Sequence, residues 1–164
     1  MTIPPRLSST RLAFYIAFIV TLAVWAGGGV FDTISSHPAW YADPVAYTRT
    51  HAEPAGTVNP WPFTTAALAL TTLAALAAFA RYRGPGRREV LLVLGGTFLI
   101  LVVTGLYFVP TLIKLANPEA LTDAQITSMS LLWMRLNVIR IAVLLALLTY
   151  SLVALIRLVR PRAN

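Results

Sequence analysis

The residues able to do chemistry in this chain recur at helical spacing. Trp133, Asn137 and Arg140 stand at i, i+4 and i+7, within about one-sixth of a turn of one another at 100° per residue. Ser130 and Ser151 extend that stripe, while Arg135 points the opposite way. Thr97, Thr104 and Thr111 form a second stripe, with Tyr107 and Lys114 close beside it. Thr21, Trp25, Gly28 and Asp32 form a third. An arginine among apolar residues needs a buried partner, and Asp32 is the nearest candidate. Two histidines, His37 and His51, lie with Asp43 and Glu53 between the first two apolar runs. Their residue types would suit a metal, but no spacing of the His-x3-His kind supports one. Bis-histidine haem needs histidines on long helices, and none is expected there.

These stripes belong to four apolar runs, at about 12–32, 61–81, 89–110 and 126–159. Each is long enough for a bilayer crossing, which takes about 20 residues. The chain of 164 residues is 57% hydrophobic and 12% charged, with a mean hydropathy of +0.72. That is too little charge to cover a water-facing surface, where roughly 25% is usual. The expected architecture is therefore all-α: a single integral membrane four-helix bundle. The first run is expected to stay as an anchor, being too long for the apolar part of a leader. Pro110 is expected to break or bend the third run. The fourth exceeds one crossing, so its first turns should stand clear of the bilayer. Gly27-Gly28-Gly29 suits close helix packing.

Arg6 and Arg11 precede the first run; Arg81, Arg83, Arg87 and Arg88 fill the short loop after the second; Arg157, Arg160 and Arg162 close the chain. The other two loops carry Arg49 and Lys114 against Asp43, Glu53, Glu119 and Asp123. The positive-inside rule puts both termini and the Arg81–Arg88 loop in the cytoplasm, with a bacterial inner membrane as the expected location. The net charge of +7 is thereby explained by topology, and nucleic acid is not an expected partner. The absence of cysteine excludes thiol redox chemistry, disulfides and iron–sulfur clusters.

Counted from the cytoplasmic arginines at about 1.5 Å per residue, Asp32, Trp61, Tyr107 and Asn137 fall near the outer boundary. Arg140 lies roughly one turn deeper. The polar faces therefore converge at the outer end. The long loop from Asp32 to Pro60, with Trp40, Tyr41 and Tyr47, is expected to form an ordered cap above them. Trp40, Trp61 and Trp133 also suit an interfacial aromatic belt.

The run Trp133-Met134-Arg135-Leu136-Asn137-Val138-Ile139-Arg140 resembles a motif of the anthrone oxygenase-like family of four-helix membrane proteins. In that family the last helix begins with tryptophan, then asparagine four on and arginine three beyond. Tyr107-Phe108-Val109-Pro110 is similar to its pair before a proline. Gly28-Gly29-Val30-Phe31, followed by His37-Pro38-Ala39-Trp40, also fits. The chain departs from the pattern at Val138, where many members have histidine, and at Phe108 and Leu112, where many have asparagine. The resemblance implies oxidation of an anthrone-like aromatic or polycyclic substrate by O2, without metal, flavin or other cofactor. Such a carbon acid needs a base, a fixed positive charge for the oxyanion, and a dry slot. On this resemblance Asp32 or His37 would be the base, and Asn137 and Arg140 would hold the oxyanion. Trp25, Tyr107 and Trp133 would stack on the ring system, with Thr104 and Thr111 beside it. The expected partners are a hydrophobic small molecule and membrane lipid, and a homo-oligomer is compatible with the sequence.

Three other functions fit the same residues. A membrane isomerase or cyclase of polyketide or isoprenoid substrates would use the same base and oxyanion groups without O2. A non-enzymatic lipid- or quinone-binding subunit would have a filled bundle and a closed Asp32–Arg140 pair. Transport is the weakest, because four helices enclose little lumen.

Overall fold

The computed structural model describes residues 7–51 and 61–159. Arg6, Glu53, Arg160 and Arg162, which entered the sequence reading, lie outside them. The described residues are helical, without strands. Helix α1 is Ser9–Ser35, α2 is His37–Ala42 and α3 is Pro44–Thr50. Helix α4 is Trp61–Ala80 and α5 is Arg87–Val103. A π-helical turn over Thr104–Phe108 joins α5 to α6 (Val109–Leu115). A 3-10 turn at Pro118–Ala120 leads into α7, Asp123–Val159. Four helical stretches, α1, α4, α5 through α6, and α7, are long and apolar enough to span a membrane.

Large apolar side chains on their outer faces remain exposed, among them Phe31, Phe63, Leu70 and Leu106. In water such a surface would be an aggregation hazard; facing lipid it is the ordinary state of a bundle.

Helix α1 reaches Ser35, beyond the boundary near 32 expected from its apolar run. Ser8 caps its start, accepting from Arg11 N at 3.3 Å. Its polar stripe is a seam against α4. Thr21 and Thr71 share a hydroxyl hydrogen bond of 2.7 Å, and Trp25 Nε1 donates to Thr65 Oγ1 at 3.1 Å. A Cβ at Gly28 would lie 3.3 Å from the Trp61 ring, and one at Gly29 would lie 3.3 Å from Ile141. The glycines thus let α1 approach α4 and α7, as small residues do between membrane helices.

The expected break at Pro110 takes a different form. The stretch continues through Pro110 to Leu115, and the irregularity lies upstream as the π-helical turn. Proline donates no hydrogen bond, and its ring crowds the carbonyl four residues before it. A turn wider by one residue accommodates that ring without breaking the helix.

Helix α7 has 37 residues, roughly 55 Å at 1.5 Å per residue, against about 30 Å for a bilayer core. Its first turns stand beside α3, which α7 contacts along with α2. Arg49 Nη2 pairs with Asp123 Oδ1 at 2.7 Å across that junction. The segment after α1 is therefore an ordered cap as far as His51.

Candidate functional site

The cap turns His37 inward. Asp43 caps α3 by accepting from Ala46 N at 2.9 Å, and Pro38 and Pro44 sit in the first turns of α2 and α3, where a missing N–H costs nothing. Trp40 Nε1 donates to Thr48 Oγ1 at 3.3 Å, tying the two short helices together. His37, 3% exposed, meets the rings of Trp40, Tyr41 and Trp133 edge-on, with centroids 6.1–6.2 Å away. Trp40 in turn packs on Trp133 and stacks on Tyr47.

From α7, Asn137 and Arg140 reach the same place. Arg140 Nη2 donates to Asn137 Oδ1. Asn137 Nδ2 and His37 Nε2 are 3.4 Å apart. Arg140 Nη1 reaches Thr104 Oγ1 at 3.4 Å, and Thr104 itself donates to the Ile100 carbonyl at 2.8 Å. The guanidinium carbon lies 4.2 Å from the Phe108 ring centroid and 5.3 Å from that of Trp25. Cation–π attraction of this kind contributes about 0.5–2 kcal/mol. Trp133 Nε1 donates to the Phe108 carbonyl at 3.2 Å.

Of the residues singled out in the sequence, His37, Asn137, Arg140, Thr104, Trp25 and Trp133 come together. Tyr107 is half-buried, edge-on to Phe108. Thr111 is half-buried. In a straight helix it would follow Thr104 by two turns on one face. Phe108 and Leu115, four and eleven residues after Thr104, fall on that same face at about 100° per residue, and they are buried there.

The expected Asp32–Arg140 pair is not formed. Among the described residues the ion pairs are Arg49–Asp123 and Arg157–Glu89. Asp32 Oδ1 instead accepts from Ser36 Oγ at 3.1 Å. It acts on His37 from a distance: burial holds His37 below the usual imidazole range, and the Asp32 charge pulls weakly the other way.

His51 has other surroundings altogether, exposed, stacked on Tyr47 with centroids 4.2 Å apart, and bonded to Thr50 Oγ1. Among the described residues no three histidine, aspartate or glutamate side chains gather as a ligand set.

Phe108 and Trp40 were not singled out as site residues. His37, Trp40 and Tyr41 at i, i+3 and i+4 were the available signal for Trp40. Phe108, four residues after Thr104 and on its face, was passed over because it is apolar.

Four buried side-chain polar atoms have no hydrogen-bond partner among the described residues: His37 Nδ1, Arg140 Nε, Ser130 Oγ and Thr97 Oγ1. Each such atom costs about 1–3 kcal/mol. Three of the four belong to α7 or to the cap packed on it. No family model matches the chain, and no curated protein and no solved structure matches it either.

Proposed function

We propose that this chain is a four-span membrane protein of the anthrone oxygenase-like kind, acting as a cofactor-independent oxygenase on an anthrone-like aromatic or polycyclic substrate. Both termini and the Arg81–Arg88 segment lie in the cytoplasm, and the His37 end faces the outside of a bacterial inner membrane. The observation that carries the reading is the chain His37–Asn137–Arg140, ringed by Trp25, Trp40, Phe108 and Trp133, with donors left unpartnered on His37 and Arg140. A protein that needed only stability would have little reason to keep them.

The chemistry runs without an added redox group. Asp32, half-buried and near enough for its charge to act on His37, takes a proton from the substrate methylene. The electron pair left on carbon passes to O2, forming a C–O bond and a hydroperoxide. Loss of water from the hydroperoxide leaves a second carbonyl, so one CH2 and one O2 become one C=O and one H2O. Arg140 holds the developing oxyanion at fixed charge, and the aromatic rings exclude water. Asn137 is placed to orient its neighbours, since its oxygen is taken by Arg140 and its nitrogen by His37.

The test is oxygen consumption by detergent-purified protein given anthrone, against protein-free micelles. Uptake above the control that is lost in Arg140→Gln is the expected result. Turnover of substrate without oxygen uptake would instead identify an isomerase or cyclase.

One observation favours a second reading, a non-enzymatic lipid- or quinone-binding subunit. Trp133 is 4% exposed and already packed by Trp40, Phe108 and His37. Bound lipid or quinone retained through purification, with no turnover, is its signature.

A further inference from the structure

We propose that Asn137, turned by Arg140, locks His37 as the Nδ1–H tautomer, and that this buried N–H receives the carbonyl or phenolate oxygen of an aromatic ligand. The inference rests on the reading of the same site as a place for a flat oxygenated molecule, and it adds the atom that meets the oxygen.

The lock follows from donors and acceptors alone. A guanidinium only donates, so the Asn137 oxygen must be the atom facing Arg140 Nη2. The other end of the amide, Nδ2, then faces His37 Nε2. An amide NH2 only donates, so Nε2 must carry the lone pair. A neutral imidazole holds its one proton on the other nitrogen, which here is Nδ1. That nitrogen is buried and has no partner among the described residues. Around it stand the rings of Trp40, Tyr41 and Trp133. A donor walled by aromatic rings selects a flat ligand that brings an acceptor oxygen, and rejects a hydrocarbon of the same shape. The lock also assigns the base. With Nε2 engaged and Nδ1 protonated, His37 is a donor, and proton abstraction falls to Asp32.

The experiment uses 15N-histidine-labelled protein in lipid nanodiscs, with His51→Gln removing the second histidine signal. Two-bond couplings from the ring carbons' protons identify which nitrogen is bare. The expected spectrum has a protonated Nδ1 and a bare Nε2. In Asn137→Asp, which keeps the size but offers only acceptors, Nε2 should gain a proton. Added 1,4-naphthoquinone should shift the His37 signal, and should bind at least about tenfold more tightly than naphthalene. A bare Nδ1 in the unsubstituted protein overturns the inference, as does equal binding of naphthalene and naphthoquinone. Both readouts stand even if Asn137→Asp does not fold. Oxygen uptake without this tautomer would leave the oxygenase standing and remove the inference. The tautomer and the naphthoquinone response without oxygen uptake would do the reverse.

Discussion

The two ends of the bundle are packed by different rules. Toward the arginine-rich end, Tyr15, Phe18, Leu22, Leu68, Phe79, Val90 and Leu94 are fully buried in one continuous apolar cluster. Its polar atoms are satisfied. Tyr15 Oη donates to the Ser151 carbonyl at 3.2 Å, Thr72 Oγ1 to the Leu68 carbonyl at 2.6 Å, and Arg11 Nε to the Ala78 carbonyl at 2.9 Å. At the His37 end a smaller cluster of Trp40, Phe108, Ile126, Trp133 and Met134 adjoins a histidine, an asparagine and an arginine. There the unpartnered atoms accumulate, with Thr97 on α5 as the exception. One end spends its residues on close packing, while the other keeps polar groups whose cost packing must offset.

The contrast is sharpest where a core residue is truncated. Phe79→Ala should remove about 3–5 kcal/mol of stability by emptying the space between Tyr15 and Tyr82, measured as reversible unfolding in mixed micelles. Arg140→Gln should act on the other axis. Oxygen uptake with anthrone should fall about 100-fold or more, while unfolding changes by less than in Phe79→Ala. A smaller pair of substitutions separates satisfied from unsatisfied hydroxyls. Tyr15→Phe should cost about 1 kcal/mol by removing the hydrogen bond from Tyr15 Oη to the Ser151 carbonyl, whereas Ser130→Ala should be neutral or slightly stabilising. Equal losses in these two would erase the distinction between the ends.

Acidity should also act at one end only. Burial favours neutral His37 in the folded state, so the folded protein binds fewer protons there than the unfolded chain does. Its contribution to stability is complete above the ordinary imidazole value of 6.5, and is lost as pH falls through the lower folded value. A melting temperature that declines below pH 6.5 in the unsubstituted protein, and does so less in His37→Phe, is the expected pattern.

Most of the fold was legible because apolar length is read directly from sequence, and four long apolar helices are what the chain forms. The convergence of Trp133, Asn137 and Arg140 was legible for the same reason, since α7 is regular and i, i+4, i+7 holds along it. Two things were not. Phe108 lies on the Thr104 face by spacing, but an apolar ring gave no sign that it would meet Arg140, and a helical wheel carries no mark for the π-helical turn beyond the nearby Pro110. The partner of Arg140 was assigned by depth to Asp32, while the structure gives it Asn137 and Thr104. Depth orders residues along the axis but does not say which way a side chain reaches. Nor did it show that Thr21, the Trp25 indole N–H and Gly28 serve the seam with α4, while the Trp25 ring faces Arg140.

The most direct measurement replaces the three linked residues together, as His37→Phe, Asn137→Leu and Arg140→Met, and compares unfolding stability with oxygen uptake. If the polar chain exists for a ligand, apolar substitutes of similar size should leave stability unchanged or raised, while substrate-dependent uptake disappears. A loss of more than about 3 kcal/mol, or uptake that persists, would contradict that and make the chain part of the scaffold.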